Sequence, residues 1–253
     1  MRFLVIGDTH GKVRDIALID EWASRNNIQY IIQVGDFGAS WPDPPQPCKI
    51  LHYFTKRERQ NRSGPLWLVV LGNHDNWNKF GKLSLNPEFK DSPLIPYAPG
   101  LLVARRPAYV PFIDTLFCGG AVSTDAHNRK INKSWWKNEA PSREELELFF
   151  DMMETHKPRY VISHDGPEIA HQSRGDKVNP LSLLPSNYVS MAFQNVLELS
   201  SHKPESWFFG HHHTFSVTKT DSTTFYCSGL HGQGYLVLGS KAIPFDVKRG
   251  LDL

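Results

Sequence analysis

The chain has 253 residues, 40% of them hydrophobic, enough to build a core in one large domain or two small ones. Its 28 basic and 26 acidic residues nearly cancel, which argues against nucleic-acid binding driven by bulk charge. No apolar run approaches a membrane span, and the 3 widely spaced cysteines (Cys48, Cys118, Cys227) argue against a disulfide framework or a thiolate zinc site.

In chain order, Phe3 to Ile6 is a short apolar strand ending at Gly7. Met1 leads straight into it, so a signal peptide is not expected and a cytoplasmic location is. Val13, Ile16, Ala17, Trp22 and Ala23 recur at helical spacing, closed by Asn26-Asn27. Tyr30 to Val34 is a second strand. The proline-rich run Trp41 to Pro47 reads as an extended loop. A polar helix from about Cys48 to Gln60 and a third strand from Leu66 to Leu71 follow, and this alternation implies parallel pairing through right-handed crossovers.

Between Lys82 and Pro111 periodicity is poor apart from short strands near Leu101–Val103 and Ala108–Val110. Leu116 to Cys118 is a strand opening on Gly119-Gly120, and Asp125 to Pro141 reads as a long loop holding Trp135-Trp136. Ser142 with Glu145 forms a capping-box signal for a helix to about Thr155. Arg159–Ser163 and Ser206–Phe209 read as strands, with a helix over Tyr188–Ser200 between them. The tail (Phe215–Val217, Thr223–Cys227, Tyr235–Leu238, Ile243–Val247) alternates like successive antiparallel strands. With no linker or repeat, residues 1–253 read as a single domain.

Five short clusters carry the chemistry: Asp8-Thr9-His10, Gly35-Asp36, Gly72-Asn73-His74-Asp75, Ser163-His164-Asp165 and Gly210-His211-His212-His213. Each offers oxygen or imidazole ligands, and three of the five follow directly on an apolar run. Strand ends project side chains rigidly, which two adjacent cations require. Such a pair, about 3.5–4 Å apart, can activate a water and offset phosphoryl charge. Mixed Asp, His and Asn ligands suit manganese, iron or zinc, with manganese favoured. An isolated Asp or Asn in any of these clusters would read as a turn residue; the five together make that reading a run of coincidences.

At these residues the chain resembles the calcineurin-like metallophosphoesterase family, whose pattern is D-x-H, GD, GNH[DE], H and G-H-x-H, here spanning residues 8 to 213. The resemblance implies an α-β-β-α sandwich of two mixed sheets flanked by helices (an α/β, mixed α+β, fold class). It implies two divalent metal ions, one held by Asp8, His10 and His213, the other by Asn73, His164 and His211, with Asp36 bridging. It further implies in-line attack by a metal-bridging hydroxide, with His74 as general acid, Asp75 orienting the His74 ring, and Asn73 also touching substrate. His212 alternates away from its neighbours and is expected behind the ligands or exposed.

The second cluster lacks the Asp and Arg of GDxxDRG, and the third ends in Asp75, departures by which the chain resembles bacterial and phage-type phosphodiesterases and broad phosphoesterases more than Ser/Thr protein phosphatases. Arg129 is then the candidate for gripping the phosphoryl group, and the competing reading is that it pairs with Asp125 to order its loop. The glycine-rich stretch Gly229 to Gly234 is neither a P-loop nor a dinucleotide fingerprint and reads as a hairpin turn, whose His231 could lie near the site.

The expected function is hydrolysis of phosphodiester or phosphomonoester bonds, with a nucleotide or nucleic acid among the substrates considered and no membrane partner. The alternatives are a metal-dependent nuclease on DNA or RNA, and a catalytically silent scaffold of the same fold.

Overall fold

In a computed structural model the described residues are 1–39, 48–174 and 187–249. The extended loop expected at Trp41–Pro47 lies outside them. The first half forms β1 (Arg2–Ile6), α1 (Val13–Arg25), β2 (Tyr30–Gln33), α2 (Lys49–Arg59), β3 (Leu66–Val69), α3 (Trp77–Ser84), β4 (Leu94–Ala98), β5 (Leu101–Ala104) and β6 (Ala108–Val110). The second half forms β7 (Thr115–Cys118), α4 (Arg143–His156), β8 (Tyr160–Ser163), α5 (Tyr188–Leu199), β9 (Ser206–Phe209), β10 (Ser216–Lys219), β11 (Thr224–Cys227), β12 (Gln233–Leu238) and β13 (Lys241–Asp246).

These strands build a seven-stranded sheet, β13-β12-β1-β2-β3-β5-β4, and a six-stranded sheet, β10-β11-β9-β8-β7-β6. Each has a central run of four parallel strands, β1-β2-β3-β5 in one and β7-β8-β9-β11 in the other, with antiparallel strands outside. Alternation along β1 shows the layering. Phe3 and Val5 pack between the sheets with Ile32, Phe117, Ile162 and Phe208, whereas Leu4 and Ile6 pack against Ile16 and Ile19 of α1 and Phe54 of α2. Beyond the second sheet, Leu146, Phe149 and Met153 of α4 and Phe193 of α5 cover Val161 and Trp207. The result is the α-β-β-α arrangement.

The tail departs from the expected run of antiparallel strands. β10 and β11 form a hairpin, but β11 lies parallel to β9, and the chain then crosses to the other sheet, where β12 pairs antiparallel with β1. Alternation reports a half-buried strand and not which sheet it joins, so the crossing left no mark in the pattern. Two elements escaped the sequence reading. α3 is short and contains Gly81, with Asn76 capping it by accepting from the Lys79 amide at 3.0 Å. β4 is an edge strand carrying Pro96 and a register shift. The capping box at α4 forms as expected: Ser142 Oγ accepts from the Glu145 amide at 3.2 Å, and Glu145 Oε2 accepts from the Ser142 amide at 2.7 Å.

One buried polar knot ties α1, α2 and β3 together. The Asp20 carboxylate accepts from Arg57 Nη1 at 2.5 Å, from Trp67 Nε1 at 2.9 Å and from the Tyr53 hydroxyl at 2.9 Å. Asp20 and Arg57 are both buried, so removing the carboxylate strands a guanidinium away from water. Asp20→Ala should lower unfolding free energy by about 3–5 kcal/mol, the cost of breaking a buried pair. A denaturant titration of both proteins measures this, and a loss under about 1 kcal/mol would mean solvent reaches Arg57.

Candidate active site

The site lies where strands of both sheets run out. β1 leads to Asp8, β2 to Asp36, β3 to Asn73, β8 to His164 and β9 to His211. Parallel strands share a direction, so their carboxyl ends open at one edge of each sheet, and packing the sheets face to face brings those edges together.

Backbone bonds then lock the loops. His10 N donates to Asp36 O at 2.9 Å and Gly11 N to Phe37 O at 3.1 Å, while the Thr9 hydroxyl donates to Phe37 O at 3.0 Å. Asp36 and His10 adopt left-handed φ of 52° and 45°, as do His211 at 62° and His213 at 55°. Such conformations cost of order 1–3 kcal/mol each in non-glycine residues and persist where surrounding structure imposes them, commonly at functional sites.

Two groups of side chains meet across Asp36. On one side His10 Nε2 and His213 Nε2 approach to 2.9 Å, His213 Nε2 lies 3.2 Å from Asp8 Oδ2, and His10 Nε2 lies 4.0 Å from both Asp8 Oδ2 and Asp36 Oδ2. On the other, Asn73 Oδ1 is 3.0 Å from His164 Nε2 and 3.1 Å from His211 Nδ1, and His164 Nε2 is 3.5 Å from Asp36 Oδ1. Ligand atoms about 2 Å from a shared ion fall roughly 3 Å apart, so both groups have the spacing and the N/O donor chemistry of a divalent cation site. The two Asp36 oxygens face different groups, an arrangement that lets one carboxylate serve both. His164 Nδ1 sits 2.8 Å from the Val34 carbonyl, which can accept its proton and leave Nε2 as the free lone pair.

The electrostatics match. Burial, followed by the Asp8 and Asp75 charges, raises the Asp36 carboxyl well above the ordinary carboxylate range. Burial works against the Asp8 carboxylate too, but the His213 hydrogen bond and the His164 charge bring it net below its usual value. Burial, against the opposing pull of Asp8, holds the His10 imidazole down at about 4, and burial likewise holds His211 at about 3. Both rings are therefore neutral at physiological pH, the state in which imidazole binds metal.

His74 stands over this pair, its Nε2 3.9 Å from Asp36 Oδ2 and 2.6 Å from Arg129 Nη2. Burial first and the Arg129 charge second push its imidazole down to about 4. Arg129 is ordered by Asp125, through Nε–Oδ2 at 2.9 Å and Nη2–Oδ1 at 2.7 Å. Arg129 thus forms the loop-ordering pair with Asp125, and its Nη2 also touches His74.

Asp75 corrects the expectation that it orients the His74 ring. Its buried carboxylate accepts instead from three backbone amides, Gly38 at 2.8 Å, Gly72 at 2.9 Å and Phe37 at 3.2 Å. It clasps the loop bearing Asp36 to the loop bearing Asn73 and His74. Sequence adjacency suggested a side-chain bond, whereas the turn at Gly72–Asp75 aims the carboxylate back at main chain.

His212 points away from the ligands as expected and bonds to Asp165 Oδ1 at 2.8 Å. His171, 3.7 Å from the same oxygen, has Nε2 within 3.1 Å of the Gly166 carbonyl and 3.0 Å of the Ser190 hydroxyl, so that nitrogen serves as a donor and the cluster buttresses His211 from behind. His231 arrives on the β11–β12 crossing, its amide bonded to Asp8 O at 2.9 Å and its ring centroid 6.4 Å from that of His10. The glycine-rich turn was the signal for it. Ser123 and Glu139, which bond behind Asn73, carried no signal: a serine and a glutamate in a polar loop match no motif.

With this geometry in hand, the comparisons with known proteins agree. The calcineurin-like phosphoesterase profile matches residues 1–215, and the chain belongs to that family. TT1561 of Thermus thermophilus superposes with a TM-score of 0.57 at 12% identity, covering 97% of this chain and 98% of that one. GAP50, described as the anchor in the inner membrane complex of Plasmodium, gives 0.52 at 12% identity over 90% and 71% of the two chains. A 5'-nucleotidase candidate of Staphylococcus aureus in complex with α-ketoglutarate gives 0.50 at 16% identity, covering 94% of this chain and half of that one. At such identities the likeness is one of fold. No curated protein matches in sequence. Among the described residues no helix is long and apolar enough to cross a membrane.

Gly72 shows how tightly the site is built. A Cβ there would land on Asp36 Oδ1, with His164 Nε2 close behind. Gly72→Ala should weaken divalent-metal binding at least about tenfold, the scale seen when groups that orient ligands are disturbed. Manganese titration of the two proteins tests it, and equal affinity would show that Asp36 can swing aside at no cost.

Proposed function

We propose that the chain is a single-domain, metal-dependent phosphoric ester hydrolase acting on phosphodiesters or phosphomonoesters. The observation that carries the reading is the two-sided environment of Asp36, one oxygen toward His10 and the other toward His164. Asp8, His10, His213 and Asp36 would hold one cation, and Asp36, Asn73, His164 and His211 the other; the mixed donors accept manganese, iron or zinc, and manganese is our choice among them. When bound, the ions would lower the pKa of an intervening water, the nucleophile for in-line attack, and offset charge on the phosphoryl oxygens.

The chain's own groups supply the rest. His74 Nε2 accepts from Arg129 Nη2 at 2.6 Å; when a phosphoryl oxygen takes that donor, Nε2 is released to carry the proton it gives to the leaving oxygen. Beside Arg129 alone the His74 ring is neutral, and an anionic phosphoryl group between Arg129 and Asp36 favours its protonated form by offsetting the guanidinium charge. Asp75 contributes by fixing the two loops. The near-even charge balance favours a compact phosphate ester, such as a nucleotide, over a long nucleic acid, and a cytoplasmic location fits the thiol usage. A scaffold of the kind GAP50's description suggests would have no need of His74 and a full ligand set.

Manganese-loaded protein should hydrolyse bis-p-nitrophenyl phosphate or p-nitrophenyl phosphate, and chelation should stop it. Asp36→Ala should lose metal and turnover together. His74→Ala should keep its metal and lose about 10²–10⁴-fold in rate, the range for a general acid. If both variants lose metal equally, the division of roles is wrong. For Arg129→Ala the expected result is a raised KM at unchanged metal content; kinetics identical to the parent would remove it from the substrate site.

A further inference from the structure

Asn73 faces a choice of orientation that decides whether it can hold a cation at all. Its primary amide has two arms of almost equal size, and only the carbonyl arm can hold a cation; turned over, it would aim two N–H donors into the pocket. Something must select the orientation, and the structure shows what surrounds the other arm. Asn73 Nδ2 donates to Ser123 Oγ at 2.9 Å. Ser123 Oγ in turn donates to Glu139 Oε2 at 2.8 Å, while the Ser123 amide donates to Glu139 Oε1 at 2.6 Å. Arg129 Nη1 also donates to the Ser123 hydroxyl, at 3.3 Å.

A serine hydroxyl has one proton and two lone pairs. Here the proton goes to Glu139, and both lone pairs meet donors. With its proton committed, Ser123 Oγ can only accept, so an Asn73 carbonyl turned toward it would set oxygen against oxygen. Ser123, Asn73 and Glu139 are all buried, where an unmade hydrogen bond costs most.

We propose that Glu139 and Ser123 are positioning residues that set which arm of Asn73 faces the second cation. Glu139 fixes the hydroxyl, the hydroxyl fixes the amide, and the amide presents its oxygen to His164 and His211. The arrangement rests on the dinuclear reading above. The loop bearing Glu139 is itself pinned to the Asn73 loop. Arg106 Nη1 donates to Glu139 O at 3.0 Å, the Arg106 guanidinium lies 3.9 Å over the Trp77 ring, and Trp77 Nε1 donates to Gly72 O at 2.9 Å.

The test is manganese(II) binding, by calorimetry and metal analysis, on the full chain carrying Glu139→Gln, Ser123→Ala, Asn73→Asp and the Asn73→Asp/Glu139→Gln pair. The parent should take up two ions. Glu139→Gln, whose amide can donate to Ser123 Oγ and release the serine proton toward Asn73, should keep the first ion and bind the second about 10–100-fold more weakly. Ser123→Ala should do the same, and it serves if Glu139→Gln does not fold; circular dichroism and thermal unfolding of the metal-free proteins check this.

The discriminating readout is the double variant. An aspartate carries oxygen on both arms, so it clashes with an acceptor-only hydroxyl but receives a released one. The change in second-ion affinity caused by Asn73→Asp should therefore be at least about tenfold more favourable in the Glu139→Gln background than in the parent. A purely structural Glu139 would not produce that coupling. Two equally tight ions in Glu139→Gln, or an identical effect of Asn73→Asp in both backgrounds, overturns the relay and leaves the dinuclear site intact. A parent that binds no manganese overturns both.

Discussion

Three carboxylates, Asp8, Asp36 and Asp75, are withdrawn from water at the junction of the two sheets, and their mutual repulsion is the constraint that organises the site. Desolvated like charges are tolerated only when each finds a counterweight. Asp75 is served by three backbone amides and Asp8 by His213 and the His211 amide, at 3.2 Å from its Oδ2. Asp36 accepts one main-chain hydrogen bond, from the His74 amide at 2.8 Å, and has imidazoles on both flanks. Two of the imidazoles around it, His10 and His74 (Nε2 3.9 Å from Asp36 Oδ2), are held at low pKa chiefly by burial and bring no positive charge at neutral pH. Burial and like charge leave Asp36 poorly compensated, and bound cations would supply the missing positive charge.

The fold meets that constraint by geometry. Each sheet places a parallel quartet at its centre, so five strand ends can deliver ligands to one edge without any loop having to reach far. The final approach is made by residues in left-handed backbone, His10, Asp36, His211 and His213. A β-strand continued past its end would carry alternate side chains to opposite faces; a left-handed residue breaks that alternation and turns the next group inward. Strain at those positions is offset by the sheet cores behind them, where Val5, Ile32, Val34 and Phe208 are fully buried.

What was legible in the sequence follows from this division. Strand runs such as Phe3–Ile6 and Ser206–Phe209 are nearly continuous apolar stretches because both faces are covered, and that density reads directly. The candidate ligands stand out because their residue types recur in a fixed order after such runs. α3 and β4 were not, since a short helix with Gly81 and an edge strand with Pro96 owe their form to tertiary contacts with Trp136 and Val103. Sheet membership of the tail was hidden for a different reason. Strand pairing over long separations leaves no periodic trace, so Gly229–Gly234 read as a turn whose His231 could approach the site, but not as the crossing that pairs Leu230 with Asp8.

The residues that bond behind the candidate ligands form a third category. Asp75 lies within a motif, yet its role was misread from sequence, because adjacency to His74 says nothing about where a turn aims a carboxylate. Ser123 and Glu139 lie outside every motif, 50 and 66 positions from Asn73 in the numbering. A cation selects its ligands by atom type, which a sequence states, but an amide or an imidazole must also be turned correctly, and that is decided by hydrogen bonds from whatever the fold packs behind it. His164 is turned by a backbone carbonyl, which any residue could provide. Asn73 is turned by side chains, where residue identity matters. A relay of that kind couples the loop carrying Arg129 to the second cation pocket through one hydroxyl, so the residues that would touch the phosphoryl group and those that would hold the ion share a single hydrogen-bond network.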